Sequence, residues 1–228
     1  MSNLAEEKRY TYADYVTWKG DTRYEIIDGI AYAMASPSQG HQRITKRLVR
    51  QLDDFLRGKT CEVFHVPLDV RLNVNSFDDV VVQPDVFVVC DESKRNGKSV
   101  KGAPDLVIEI LSPYNVRHDT FTKFGQYQKA GVKEYWIVDP IRRSVEVYIL
   151  KNGKYGVGSV YRADDIVPVS ILEGCKINLA EIFYDSIEIE DAEESEMRDK
   201  IIQALKESGA NISDEQVEKA VKILESKE

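Results

Sequence analysis

A chain of 228 residues, 43% hydrophobic and 31% charged, has the makeup of a globular protein with a real core, with room for one domain and an appendage. No apolar run approaches the ~20 residues that cross a bilayer, and the opening Met-Ser-Asn-Leu-Ala-Glu-Glu-Lys lacks the apolar stretch of a signal peptide. The net charge of −8 is concentrated: residues 186–228 carry 13 acidic against 6 basic side chains, whereas residues 1–185 carry 26 against 25. The body is therefore near neutral and gives no bulk basic footprint for nucleic acid, although local patches matter more than totals. Cys61, Cys90 and Cys175 are odd in number and form no CxxC pair, so no disulfide framework and a reducing cytoplasm are expected.

In chain order, Thr11 to Trp18 predicts a short helix, with Thr11 as cap and Asp14 three residues on. Tyr24 to Met34 predicts a hairpin turning at Asp28-Gly29. Glu25 lies on its first arm, where a solvent-facing strand residue is the plain alternative to a functional one. From His41 to about Arg57, Ile44, Leu48, Leu52 and Phe55 recur at helical spacing. Arg43, Lys46, Arg47 and Arg50 make the opposite face basic, either solvated or set against phosphate. His41 at the helix start reads as a cap or packing residue. Cys61 to Val74 predicts one or two strands broken at Pro67. Val80 to Val89 predicts an apolar strand with one carboxylate, Asp85, directly after Pro84, and residues 91–102 an exposed loop.

Residues 104–139 read as strand, loop, helix, strand. Leu106 to Leu111 is a short apolar run between Pro104 and Pro113, the pattern of a buried strand. Within it stands Glu109, and a buried charge costs several kcal/mol unless paired, hydrogen-bonded or metal-bound. The following helix, about 119–130, ends at Gly131. Asp119, Lys123 and Tyr127 recur every four residues on it and share one face. Lys123 and Asp119 could simply pair along the helix, although a lysine in the first turn faces the positive end of the helix dipole. Residues 135–140 and 144–157 predict further strands, the latter a hairpin at Asn152-Gly153, and 164–180 a small closing β segment. In the tail, Asp191 to Ser208 and Ser213 to Lys227 show helical periodicity, with Ser213 and Gln216 as a capping box. Ile201, Ile202 and Leu205, then Val217, Val221 and Leu224, give these helices apolar stripes. They would pack in cis or join two copies in a homodimer.

An Asp, a Glu and a Lys beside buried strands form the minimal kit for metal-assisted phosphodiester hydrolysis. Two carboxylates suit a hard ion such as Mg²⁺, and an ammonium can orient a water or offset phosphate charge. No zinc spacing, glycine-rich phosphate loop, GxSxG or dinucleotide fingerprint competes. Asp85 and Glu109 could equally cap turns at strand ends, and Asp105 reads as such a turn residue.

Taken together, Tyr-Glu25-Ile-Ile-Asp-Gly, Ser36-Pro-Ser with His41, Gln83-Pro-Asp85-Val, Ala103-Pro-Asp-Leu-Val-Ile-Glu109-Ile-Leu-Ser-Pro, Asp119 with Lys123 and Tyr127, and Ala-Gly-Val-Lys-Glu-Tyr-Trp-Ile-Val-Asp139-Pro resemble the putative restriction endonuclease family of the PD-(D/E)XK nuclease superfamily. The resemblance spans roughly residues 10–184. It implies an α/β (α+β) fold, restriction-endonuclease-like, with a central mixed β-sheet flanked by helices. Residues 1–185 would form this nuclease domain and 186–228 a C-terminal helical extension. It also implies an Mg²⁺-dependent endonuclease, Mn²⁺ a possible substitute, with nucleic acid (DNA rather than RNA) as partner and no membrane. Asp85 and Glu109 would be catalytic and metal-binding, with the Ile110 carbonyl a third ligand. Where the family pattern has a lysine two residues after the Glu, this chain has Leu111; Lys123 matches the position to which that lysine is thought to have migrated. Glu25 would lie nearby as a further ligand or acid, with Tyr127 and His41 possible supports. A non-cleaving nucleic-acid-binding or assembly module with the same fold is the rival reading.

Overall fold

The computed structural model describes residues 8–74, 76–95, 97–112 and 122–184; Asp119 and the whole acidic tail with its two expected helices lie outside these. The described residues all belong to the unit Met1–Tyr184.

Helix α1 (Tyr12–Tyr15) opens on a reciprocal capping box, Thr11 accepting from the Asp14 N–H while Asp14 accepts from the Thr11 N–H. Strands β1 (Tyr24–Ile27) and β2 (Ile30–Ala33) form the expected hairpin. Asp28 and Gly29 both take positive φ, 49° and 79°, as the tight turn between right-twisted strands requires. Helix α2 (Gln39–Leu56) starts two residues before His41 because Ser38 caps it, its Oγ accepting from the His41 N–H. Then come β3 (Glu62–His65), β4 (Asp69–Arg71), β5 (Val81–Val82), β6 (Val86–Val89), β7 (Ser99–Lys101) and β8 (Leu106–Ile110). Helix α3 (Phe124–Ala130) is followed by β9 (Glu134–Asp139), β10 (Ser144–Lys151), β11 (Lys154–Tyr155), β12 (Ser159–Arg162), β13 (Ile166–Pro168), β14 (Lys176–Asn178) and helix α4 (Ala180–Phe183).

Among the described residues the strands make three sheets. The large one runs β11-β10-β9-β8-β6-β3 with β12 also on β10, and is mixed: β8 and β9 are parallel, the other pairs antiparallel. A smaller sheet runs β2-β1-β5-β4-β7, and β13 pairs with β14. The β8–β9 pair is buried throughout except Asp139, and its side chains alternate between two cores. Ile108, Ile110, Trp136 and Val138 pack with Ile44, Leu48 and Leu52 of α2. Val107, Tyr135 and Ile137 pack with Tyr127 of α3 and with Ile27, Val70, Val82 and Val100 of the small sheet. This is the mixed α and β architecture expected, with a second sheet added.

Several local expectations need correction. The run Val80–Val89 is not one strand: Pro84, which has no N–H to give a ladder, separates β5 in the small sheet from β6 in the large one. Residues 91–102 are not simply a loop; Asp91 caps a 3₁₀ turn (Glu92–Lys94) and β7 follows, parallel to β4. The basic face of α2 is spent inside the fold only at Arg47, while Lys46 and Arg50 are exposed. Arg47 is 7% exposed, donates to the Ile182 carbonyl at 2.8 Å and stacks on Tyr184, while Arg50 pairs with Glu181. Cys61 and Cys90, at the ends of the antiparallel β3–β6 pair, are joined as a disulfide. That overturns the expectation of unpaired cysteines, and with it the premise for a reducing compartment. Among the described residues no helix is long and apolar enough to cross a membrane.

Candidate active site

Glu109 is the fourth of five consecutive buried residues on β8. Alternation along the strand turns it with Val107 away from α2, toward the face covered by α3. Only 2% exposed, its Oε1 accepts from the Tyr127 hydroxyl at 2.5 Å and from Lys123 Nζ at 3.2 Å. Lys123 is the residue just before α3, one turn ahead of Tyr127, so the four-residue spacing delivers both side chains to the same carboxylate oxygen. The other side of the Lys123 ammonium lies 2.9 Å from Glu25 Oε1. Glu25 is buried at 3%, not solvent-facing, and also accepts from the Gln83 N–H at 2.9 Å. Burial, followed by the negative charges of Glu109 and Glu25, raises the Tyr127 hydroxyl well above its ordinary value. Tyr127 therefore remains a proton donor to Glu109 across the working pH range.

Asp85 sits at the junction of the two sheets, just before β6. The β6–β8 register pairs Val86 with Ile108, so one step back along the antiparallel ladder Asp85 lies opposite Glu109. Its Oδ2 accepts from the Ile110 N–H at 2.8 Å and meets His41 Nε2 at 3.0 Å. A carboxylate only accepts, so His41 carries a proton on Nε2. His41 is thus neither a plain cap nor a packing residue. Among the described residues Asp85 makes both contacts through Oδ2, leaving Oδ1 open. Asp105, in contrast, is structural: it accepts from the Cys90 N–H and from Lys133.

Lys123 thus sits between Glu25 and Glu109, and Asp85, paired with His41, leads into the strand that faces Glu109. Among the described residues no three His, Cys, Asp or Glu side chains form a metal cage. Two carboxylates completed by backbone carbonyl and water are, however, ordinary donors for Mg²⁺, and Asp85 and Glu109 are carboxylates of that kind on facing strands. What sequence reasoning missed is a layer behind Glu25. Gln83 Nε2 donates to Asp69 Oδ1 at 2.9 Å and to the Tyr15 hydroxyl at 3.3 Å. Burial raises the Asp69 carboxyl, against the pull of its own hydrogen bonds with Gln83 and Tyr15. A lone amide inside an apolar run was the signal that could have found it.

Comparison with known proteins assigns the lineage. Residues 12–180 match the Uma2 family, described as putative restriction endonuclease. The chain belongs to that family. The uncharacterized protein slr1290 of Synechocystis sp. (strain PCC 6803) is 30% identical over 138 residues, covering 59% of this chain and 71% of the relative. The crystal structure of a putative nuclease belonging to DUF820 from Anabaena variabilis superposes with a TM-score of 0.63 at 21% identity, over 77% of this chain and 98% of its own. That likeness establishes a shared fold. The Uma2 match covers the elements that supply Glu25, His41, Asp85, Glu109, Lys123 and Tyr127.

Proposed function

We propose that this Uma2 protein is an Mg²⁺-dependent endonuclease that hydrolyses phosphodiester bonds, with DNA as substrate. The observation that carries the reading is the buried row Glu25–Lys123–Glu109–Tyr127 beside the Asp85–His41 pair, in a chain of a putative restriction endonuclease family. Burying two carboxylates and a lysine would be unfavourable for stability alone; a hydrolytic site gives them a use.

Asp85 and Glu109, with the Ile110 carbonyl, would hold the cation, whose chemistry is to polarise the phosphate and acidify a bound water. The Lys123 ammonium, fixed between Glu25 and Glu109, donates a hydrogen bond to the attacking water or to a phosphate oxygen where negative charge develops. Glu25 would take a proton through that ammonium or its water. Tyr127 holds Glu109 in one rotamer by donating to Oε1. His41 does the same for Asp85 from the N-terminal turn of α2. A duplex has two strands, and a homodimer joined through the acidic tail would supply one site for each.

The test is cleavage of plasmid and duplex DNA with and without Mg²⁺ or Mn²⁺, with a single-stranded RNA arm. Metal-dependent nicking is expected, abolished in Asp85→Asn with the fold intact by circular dichroism. Equal cleavage by that variant, or no Mn²⁺ binding by the native protein, would overturn the assignment.

A further inference from the structure

Gln83 is 4% exposed and takes no part in the chemistry above. Its backbone N–H does not enter the β5 ladder, which ends at Val82; it donates to Glu25 Oε1 at 2.9 Å. The next residue, Pro84, has no N–H of its own. The β4–β5 ladder thus reaches the Val82 side of this peptide and stops there, and beyond it Gln83 is fastened through its side chain. That side chain is tied at two points, to Asp69 on β4 at 2.9 Å and to Tyr15 on α1 at 3.3 Å, both through Nε2. The amide cannot turn over, because its oxygen would then face the Asp69 carboxylate, another acceptor. The cost of this orientation is visible: Gln83 Oε1 is sealed from solvent and has no hydrogen-bond partner among the described residues. An apolar residue of the same length would avoid that penalty. The unbroken hydrogen-bonded line Tyr15–Gln83–Glu25–Lys123–Glu109–Tyr127 therefore passes through one residue whose own packing is unfavourable.

We infer that Gln83 is a positioning residue of the proposed site: clamped by Asp69 and Tyr15, it aims its backbone N–H at Glu25 and so sets where the Lys123 ammonium sits against Glu109. The inference rests on reading Glu25, Lys123 and Glu109 as reacting groups. Displacing a catalytic group by about 1 Å can cost roughly 100-fold in rate, while leaving Asp85 and Glu109 untouched leaves metal and substrate affinity alone.

The experiment compares Gln83→Leu, Asp69→Ala and the conservative Asp69→Asn, which keeps an acceptor for Nε2. Gln83→Leu and Asp69→Ala should each lower kcat for Mg²⁺-dependent DNA cleavage about 10- to 100-fold, with KM and Mn²⁺ affinity within twofold of native. Asp69→Asn should restore most of kcat. A crystal structure of Gln83→Leu should show Glu25 Oε1 more than about 4 Å from Lys123 Nζ, past ion-pair contact. Native kcat in both disruptive variants with that pair intact overturns the inference. So does a loss that follows thermal stability alone and is not recovered by Asp69→Asn. Should Gln83→Leu fail to fold, Asp69→Ala and Tyr15→Phe carry the same comparison. Should the native protein cleave nothing, the hydrolytic reading fails by itself, and the position of Glu25 in the variant structure decides the positioning claim alone.

Discussion

Two buried carboxylates sharing one ammonium place unequal demands on their neighbours, and substitution separates them. Lys123→Met leaves Glu25 and Glu109 as like charges without their counter-ion, a break that typically costs about 3–5 kcal/mol. Tyr127→Phe removes a neutral donor from Glu109 and should cost about 1–3 kcal/mol. Urea unfolding of the two variants should show that order, with Lys123→Met having the lower midpoint. In cleavage assays Lys123→Met should lose about 10²–10³ in kcat, the usual effect of removing a donor aimed at developing charge. Tyr127→Phe should lose less, because it acts through Glu109. The sequence made Glu109 and Lys123 visible, since an isolated charge in an apolar strand and a fixed four-residue spacing are local signals. It left Glu25 and His41 undecided, because a strand residue and a helix-start histidine have ordinary explanations. Only a contact made across more than 40 residues of chain, His41 to Asp85, resolves the second.

At the level of elements, α2 and β9 are where packing is most exacting. Leu48 is fully buried between α2 and the large sheet, so Leu48→Ala should destabilise by about 2–5 kcal/mol. Glu134 on β9 is a different case: fully buried, it accepts from the Trp136 indole at 2.8 Å and the Ile171 N–H at 2.9 Å, pinning the segment between β13 and β14 to the sheet. Burial raises its carboxyl above the ordinary 4.5 despite both bonds. A carboxyl raised on folding binds its proton more tightly in the native state, so its contribution is greatest at pH below 4.5 and is lost as pH rises through the folded value. Glu134→Gln removes that slope, yet one of the two N–H donors then faces an amide NH₂, at a cost of about 1–3 kcal/mol. Unfolding curves from pH 4 to 8 would show both effects. The alternating and 3.6-residue patterns made these elements readable in advance. The split of Val80–Val89 was not, because periodicity reports burial but not which sheet a strand joins. Arg47 misled for a related reason: an amphipathic pattern cannot distinguish water from the carbonyls of a distant helix.

For the molecule as a whole, the cross-strand disulfide is the feature that sequence logic argued against. The bridge closes a loop with a separation of 29 residues, for which chain entropy gives about 3–4 kcal/mol at most. Thermal melts with and without dithiothreitol should differ, and the Cys61→Ser, Cys90→Ser double variant should melt like the reduced native protein. Light scattering on the full chain and on residues 1–185 tests the homodimer, a halved mass for the shorter chain being the expected result. Cysteine counting failed because parity ignores register: Glu62 facing Val89 is what brings Cys61 and Cys90 together.

The clamp of Arg47 on the Ile182 carbonyl, with Arg143 holding that of Phe183, has a temporal consequence. Chains fold as they leave the ribosome, amino end first. Glu25, His41 and Asp85 emerge early, Glu109 and Lys123 later, and α2 is fastened at its far side only once residues 182 and 183 are out. A nascent chain therefore holds acidic groups without their lysine, and then a lysine without a secured helix. The candidate site therefore rests on a helix secured at both faces only after residues 182 and 183 have emerged.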